Sequence, residues 1–401
     1  MLIKQENILL PSENVDKTKW SVIAFDQLIS NKEYWQKIKN YVGDSPSTLN
    51  LVLPNIDSVN SENYMSEELV KNYFNNNVFE EFKNCYILVE RETPYHSKRL
   101  GLVCGIDIEN YDFNSKCLIR ASEETIKSRI VPMVHSREHS LLDLPHTILL
   151  YDDREFSILE NLYKNKNSYE KVYDFDLNGN GGHIKGYKIN ISLENEFNKL
   201  LDKDYLKRTF GIDEKILFIV GDGNHSMAIE KIHWNNIKST LSIEERKNSN
   251  DKYCLVEICN INDEGIELYP IHRLIYNWDK NLLTKLQNLY SKENFVYGEL
   301  YYNNSYHKFK LPRNPIQSIK LIQDFLEDYS NQNNIEIQYI HEKDLIINAC
   351  KKNNLLGIFM PKIPKNEIFK YIIKNGVMPK KSFSIGKSCE KRYYLESKKI
   401  N

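Results

Sequence analysis

The stretch Lys215-Ile216-Leu217-Phe218-Ile219-Val220-Gly221-Asp222-Gly223-Asn224-His225-Ser226 decides how the chain is read. Its first half is a short, continuous apolar run. Such a run fits a strand covered on both faces. Its second half sets two glycines around an aspartate at the strand's end, and a helical stretch to about Lys238 follows. Glycine lets the backbone turn tightly there. The helix behind it presents unpaired N–H groups and the positive end of its dipole, a place for a phosphate or carboxylate. The same residues also fit a plain turn with Asn224 or Ser226 as the helix cap. The spacing matches neither a P-loop nor a Gly-x-Gly-x-x-Gly dinucleotide turn.

Outward from this junction the elements are mixed. Upstream, strands are expected at 20–25, 49–54, 85–90, 100–108 and 147–151, and helices at 31–41, 66–84 and 192–209. Ser192 is the candidate N-cap of the last helix and Gly211 its stop. Downstream, strands at 253–261 and 266–276 read as a hairpin around Asn262-Asp263-Glu264-Gly265. Helices at 282–289, 315–329 and 365–374 then alternate with strands at 306–311, 335–340 and 355–360. The fold class is α+β (mixed α/β). Three parts are expected: an N-terminal α+β part over 1–210, a core of strand, glycine turn, helix and hairpin over 211–278, and a C-terminal α/β lobe over 279–401.

Composition narrows the function classes. The 401 residues carry 54 Lys+Arg against 55 Asp+Glu, a net charge of -1, and 41% are hydrophobic. That is a globular balance, and it gives no reason to expect nucleic acid or an anionic membrane as partner. No apolar run approaches the ~20 residues of a membrane span. The seven cysteines form no Cys-x-x-Cys pair. They read as reduced thiols of a cytoplasmic protein rather than a zinc finger or disulfide scaffold. Cys254 and Cys259 fall on opposite faces of their strand.

Five groups of residues have the chemistry for a site. At the junction, Asp222 suits Mg²⁺ or a substrate hydroxyl, and Asn224 and His225 suit phosphoryl oxygens. In Asn178-Gly179-Asn180-Gly181-Gly182-His183-Ile184-Lys185-Gly186-Tyr187, glycines precede a His and a Lys that fit a ligand loop, but taken alone the segment reads first as a plain β-hairpin with flexible turns. Arg273, after His272 at a strand end, makes a phosphate or carboxylate fork or a surface ion pair. His135-Ser136-Arg137-Glu138-His139 has the His-x-x-Glu-His spacing of an inverted zincin motif, but Pro132 and Pro145 crowd it and no third ligand is evident. Asp26, after the first expected strand, fits a general base, a metal ligand or a turn residue.

Taken together, several segments resemble the bacterial and archaeal family catalogued as domain of unknown function 1015. They are Trp20-Ser21-Val22-Ile23-Ala24-Phe25-Asp26-Gln27, Gly43-Asp44-Ser45-Pro46-Ser47-Thr48-Leu49, Leu144-Pro145-His146 and Gly181 to Tyr187. Gly221 to Ser226, Pro270-Ile271-His272-Arg273, Met378-Pro379-Lys380-Lys381-Ser382-Phe383-Ser384 and Lys391-Arg392-Tyr393-Tyr394 complete the set. The Asp-Gly-Asn-His segment is also remotely similar to the phosphate-binding turn of the ParB/sulfiredoxin-like superfamily, which includes a free-serine kinase.

That resemblance implies a nucleotide-binding core carrying a large N-terminal part and an α/β C-terminal lobe. It implies phosphoryl transfer between ADP or ATP, with Mg²⁺, and free serine or O-phosphoserine. Backbone N–H groups from Gly223 to Ser226 would hold the phosphoryl group, with Arg273 countering its charge and His225 and His272 donating to it. Asp26 or Asp222 would take the serine hydroxyl proton or hold the metal. His183, Lys185, Arg137, Lys381 and Ser382 are the remaining expected nucleotide contacts. Where closer relatives are expected to carry Pro-Pro-Arg and Lys-Ile-Arg, this chain has Val131-Pro132-Met133 and His135-Ser136-Arg137. Two alternatives stay open: a nucleotide-independent phosphoserine phosphatase, and a non-catalytic regulatory protein that binds a nucleotide or amino acid.

Overall fold

The apolar run before Gly221 lies inside a sheet. The computed structural model describes residues 2–24, 32–56, 66–112, 116–125, 127–212 and 214–400. In it Phe218–Asp222 is a strand, buried from Phe218 to Gly221. Ile119–Arg120 runs parallel on one side, and Ile148–Tyr151 antiparallel on the other. Among the described residues the sheet has eleven strands. Its main path runs Tyr111–Asp112, Ile119–Arg120, Phe218–Asp222, Ile148–Tyr151, Tyr253–Asn260, Arg99–Asp107, Phe79–Glu92, Gly182–Ile189 and Glu170–Leu177. Parallel and antiparallel neighbours mix along it, and helices intervene in the chain. The protein is mixed α/β, as expected.

By backbone contact the described chain forms two compact units, 1–266 with 389–401, and 267–388. The expected boundary after residue 210 falls inside the first unit and the one after 278 inside the second. The first unit holds the large sheet and a core that includes Trp20, Val70, Ile87 and Val103, to which Tyr393 and Leu395 of the returning segment contribute. The second holds a five-stranded sheet in the order Ser305–Pro312, Phe295–Tyr302, Leu356–Phe359, His272–Tyr276 and Glu336–Ile340. Leu274, Tyr301, Ile346 and Phe359 lie in its core.

Several elements differ from the sequence expectation, each for a local reason. The strand expected at 20–25 is instead preceded by a helical turn, Lys17–Trp20, whose first N–H groups bond the Asp16 carboxylate. Val22 then makes a lone bridge to Tyr394. The apolar segment after Thr48 is helix Leu49–Ile56 rather than strand. Ser47 Oγ accepts the Leu49 N–H at 3.1 Å, a cap that outweighs the strand-like composition. Helix 66–84 stops at Asn75, Asn77 turns with φ 52°, and strand Phe79–Glu92 begins. Helix 192–209 is two helices, the second capped by Asp202 and closed by Gly211 with φ 79°.

The hairpin around 262–265 does not form. Tyr253–Asn260 stays in the first unit, whereas Leu268–Pro270 pairs with Phe383–Ile385 and His272–Tyr276 with Glu336–Ile340. Asp263 explains the change, because its carboxylate accepts the Gly265 N–H at 2.7 Å and the Leu100 N–H at 3.0 Å. The turn is thereby tied to strand Arg99–Asp107.

Candidate functional site

Asp222 is the last residue of its strand, and Gly223 opens helix Asn224–Lys238. Gly223 has φ +90°, and a Cβ there would lie 2.5 Å from Thr147 Oγ1 and 3.1 Å from Thr147 Cα. Both the backbone angle and the close approach require glycine. Gly223→Ala is expected to lower stability by about 1–3 kcal/mol, read as a fall in thermal midpoint. An unchanged midpoint would show that the turn relaxes without cost.

The carboxylate of Asp222 is used on both oxygens. Oδ1 accepts the Gly223 N–H at 3.0 Å, and Oδ2 lies 2.6 Å from Lys391 Nζ. The Lys391 side chain is only 8% exposed and that of Asp222 35%. A nearly buried ammonium thus meets a solvent-reachable carboxylate where the amide end of a long helix begins. The Asn224 side chain is engaged by Ser122. It accepts the Ser122 N–H at 3.0 Å and donates to Ser122 Oγ at 3.1 Å, which pins the neighbouring loop. His225 is half-buried in the first turn. Ser226 Oγ lies 3.0 Å from His146 Nε2, and the His146 ring faces Tyr394 at 5.6 Å.

Lys391 reaches this point because the segment after Ser388 is bound along its backbone. The buried Arg91 donates to the carbonyls of Cys389, Glu390 and Lys391 at 2.7, 3.1 and 2.6 Å. Burial lowers the Arg91 pKa to about 9, and Arg99 adds to the effect. Arg392 Nε lies 2.9 Å from Glu257, and its Nη2 lies 2.7 Å from Glu396. Burial raises the Glu257 pKa, but Arg99, Arg392 and Arg91 outweigh it, so the carboxyl sits below its ordinary range.

The other expected site residues have other surroundings. Asp26 lies outside the described residues. His183 stands on a strand separated from Phe218–Asp222 by four others. Its ring is bracketed by Asp176 and Asp174, each at 2.6 Å, and these bonds raise its pKa. Lys185, on the same strand, faces Glu90 and Asp174 across its two neighbours. Arg137 is closer to the junction. Its guanidinium lies 2.9 Å from Glu230, a residue of the site helix, and 3.8 Å from Asp143. His135 Nδ1 lies 3.1 Å from Glu138.

Four expected residues belong to the second unit. Arg273 is fully buried there, and Gln323 Oε1 accepts from its Nε and Nη2 at 3.0 and 2.8 Å. The carbonyls of Ile271 and Lys381 accept from its Nη1. His272 accepts the Met360 N–H at 3.1 Å, and burial, with Lys343 and Arg273, lowers its pKa to about 4. Ser382 is buried and donates to Pro379 O at 2.6 Å, and Lys381 has φ 58°.

Among the described residues no three His, Cys, Asp or Glu side chains converge as a metal site. Asp222, the expected metal ligand, has its two oxygens engaged by the Gly223 N–H and by Lys391. No helix of the described residues is long and apolar enough to cross a membrane.

These features define a mixed α/β protein with a lysine–aspartate pair at the amide end of a strand–helix junction. The chain belongs to the family described as protein of unknown function (DUF1015), whose profile matches residues 9–352. No curated protein matches it. Among solved structures it is similar to a free serine kinase mutant in complex with AMP, at 11% identity over 75% of this chain and 92% of that one, TM-score 0.41. It is also similar to a conserved hypothetical protein from Pyrococcus furiosus, at 13% identity over 75% and 95%, TM-score 0.38. A third is SbnI with C-terminal truncation from Staphylococcus aureus, at 8% identity over 71% and 83%, TM-score 0.39.

Proposed function

We propose that the protein transfers a phosphoryl group between a nucleotide, ADP or ATP, and a small hydroxyl acceptor, free serine, or takes it back from O-phosphoserine. The observation that carries this reading is the Lys391–Asp222 pair at the open end of helix Asn224–Lys238. Backbone N–H groups of the first turn and the helix dipole favour a phosphoryl group there. Lys391 supplies the positive charge that the reading needs, in place of Arg273, whose donors are taken up within the second unit. Asp222 accepts the acceptor hydroxyl's proton as phosphorus is attacked. Mg²⁺, when bound with the nucleotide, would neutralise phosphate charge beside the same carboxylate. Serine as the acceptor rests on the sequence resemblance.

The test is a thermal-shift panel of ADP, ATP, serine and phosphoserine, with and without Mg²⁺, followed by product analysis. A nucleotide-dependent shift with phosphoserine formed or consumed supports transfer. Phosphate released from phosphoserine without nucleotide marks hydrolysis, and shifts without turnover mark a regulatory binder. Lys391→Met is expected to weaken nucleotide binding by about 1.5–3 kcal/mol, roughly 10- to 100-fold in Kd. Unchanged affinity would remove Lys391 from the site.

A further inference from the structure

Ser226 occupies the first turn of the site helix and is half-buried. Its hydroxyl lies 3.0 Å from His146 Nε2. The backbone on either side of His146 is held in place. The carbonyl of Pro145 before it accepts from Arg392 Nη1, and Thr147 after it abuts Gly223. The ring of Tyr394 stands 5.6 Å from its own. A serine hydroxyl within hydrogen-bond reach of an imidazole is the arrangement that activates a nucleophile.

We propose that Ser226 is a nucleophile and His146 its base, so that the chain carries the phosphoryl group on Ser226 between donor and acceptor. This rests on the nucleotide reading above. In the first step Ser226 Oγ bonds to the terminal phosphorus of the nucleotide. The bond from that phosphorus to its bridging oxygen breaks, and the electron pair leaves on the shortened nucleotide. The Oγ proton moves to His146 Nε2. In the second step the acceptor oxygen attacks the same phosphorus and its proton passes to Asp222. The bond from phosphorus to Oγ breaks, and Oγ recovers its proton from His146. The phosphoserine between the steps would stand in the first turn of a helix, where negative charge is stabilised.

The experiment incubates the full chain with ATP labelled in its terminal phosphate, and with ADP labelled likewise, without acceptor. The expected result is acid-stable label on the protein, mapped to Ser226 by peptide mass spectrometry and removed by adding serine. Ser226→Ala is expected to carry no label at an unchanged thermal midpoint. His146→Gln is expected to label roughly 10²-fold more slowly, with a rate that no longer rises with pH through the imidazole range. Label retained in Ser226→Ala overturns the proposal. So does transfer to serine by a protein that never becomes labelled, an outcome that leaves the nucleotide reading standing. Label on Ser226 that no hydroxyl acceptor removes also overturns the proposal, because the group is then stored on the chain and never carried to an acceptor. Absence of any nucleotide-induced thermal shift discards both.

Discussion

Asp222→Asn abolishes phosphoryl transfer and leaves the fold standing: that is the expected result of removing one negative charge from the junction. Asparagine keeps the shape of the side chain and can still accept the Gly223 N–H, so the turn survives. It cannot take a proton from an acceptor hydroxyl. Positioned general bases contribute about 10²–10⁴ in rate, and a loss of that size in kcat, with serine and nucleotide as substrates, is the measurement to make. Lys391 loses its partner while remaining nearly buried. A fall in thermal midpoint worth about 1–3 kcal/mol should accompany the rate loss. Full loss of activity with a cooperative unfolding transition supports the assignment. Activity within a few-fold of the parent protein would make the Lys391–Asp222 pair a structural tie and nothing more.

The second large effect is one of stability. Arg273→Ala is expected to destabilise the protein by about 3 kcal/mol or more, because each buried acceptor left without a donor costs about 1–3 kcal/mol. The side chain satisfies Gln323 Oε1 and the carbonyls of Ile271 and Lys381, and its guanidinium lies 4.9 Å from the Tyr339 ring centre. Lysine cannot reproduce that planar fork, so Arg273→Lys should recover only part of the loss. Chemical denaturation followed by tryptophan fluorescence would read both variants. From the sequence alone, an arginine at a strand end fits a phosphate or carboxylate fork or a surface ion pair, and the family resemblance favours the phosphate. A stable Arg273→Ala protein without turnover would restore that expectation.

The contrast between Asp222 and Arg273 shows what the chain's order of residues discloses. The strand–turn–helix at 218–238 was legible because all its determinants are local: an apolar run, a glycine that must turn, a helical stretch behind it. The mixed α/β class was legible for the same reason. Lys391 was not, since it meets Asp222 across 169 positions of sequence. Its only signal was membership in the stretch Lys391-Arg392-Tyr393-Tyr394. His146 had a similar trace in Leu144-Pro145-His146, but nothing in the spacing said that its ring would face Ser226. The misread hairpin failed through Asp263, whose bond to Leu100 is equally non-local. Short apolar segments such as 49–54 are ambiguous by composition, and there a single serine hydroxyl settled the matter.

The segment 389–401 packs with residues that precede 267, so the chain leaves the first unit and later returns to it. A nascent polypeptide therefore reaches Asp222 long before it reaches the lysine that faces it. Throughout the intervening synthesis, the acid waits at the helix end without its counter-charge, and Arg91, Arg99 and Glu257 wait for the strap that binds them. Under the proposed reading, a ribosome-bound intermediate carrying everything up to residue 388 has the turn but not Lys391. The Lys391–Asp222 pair is completed late, after the interposed unit has been made.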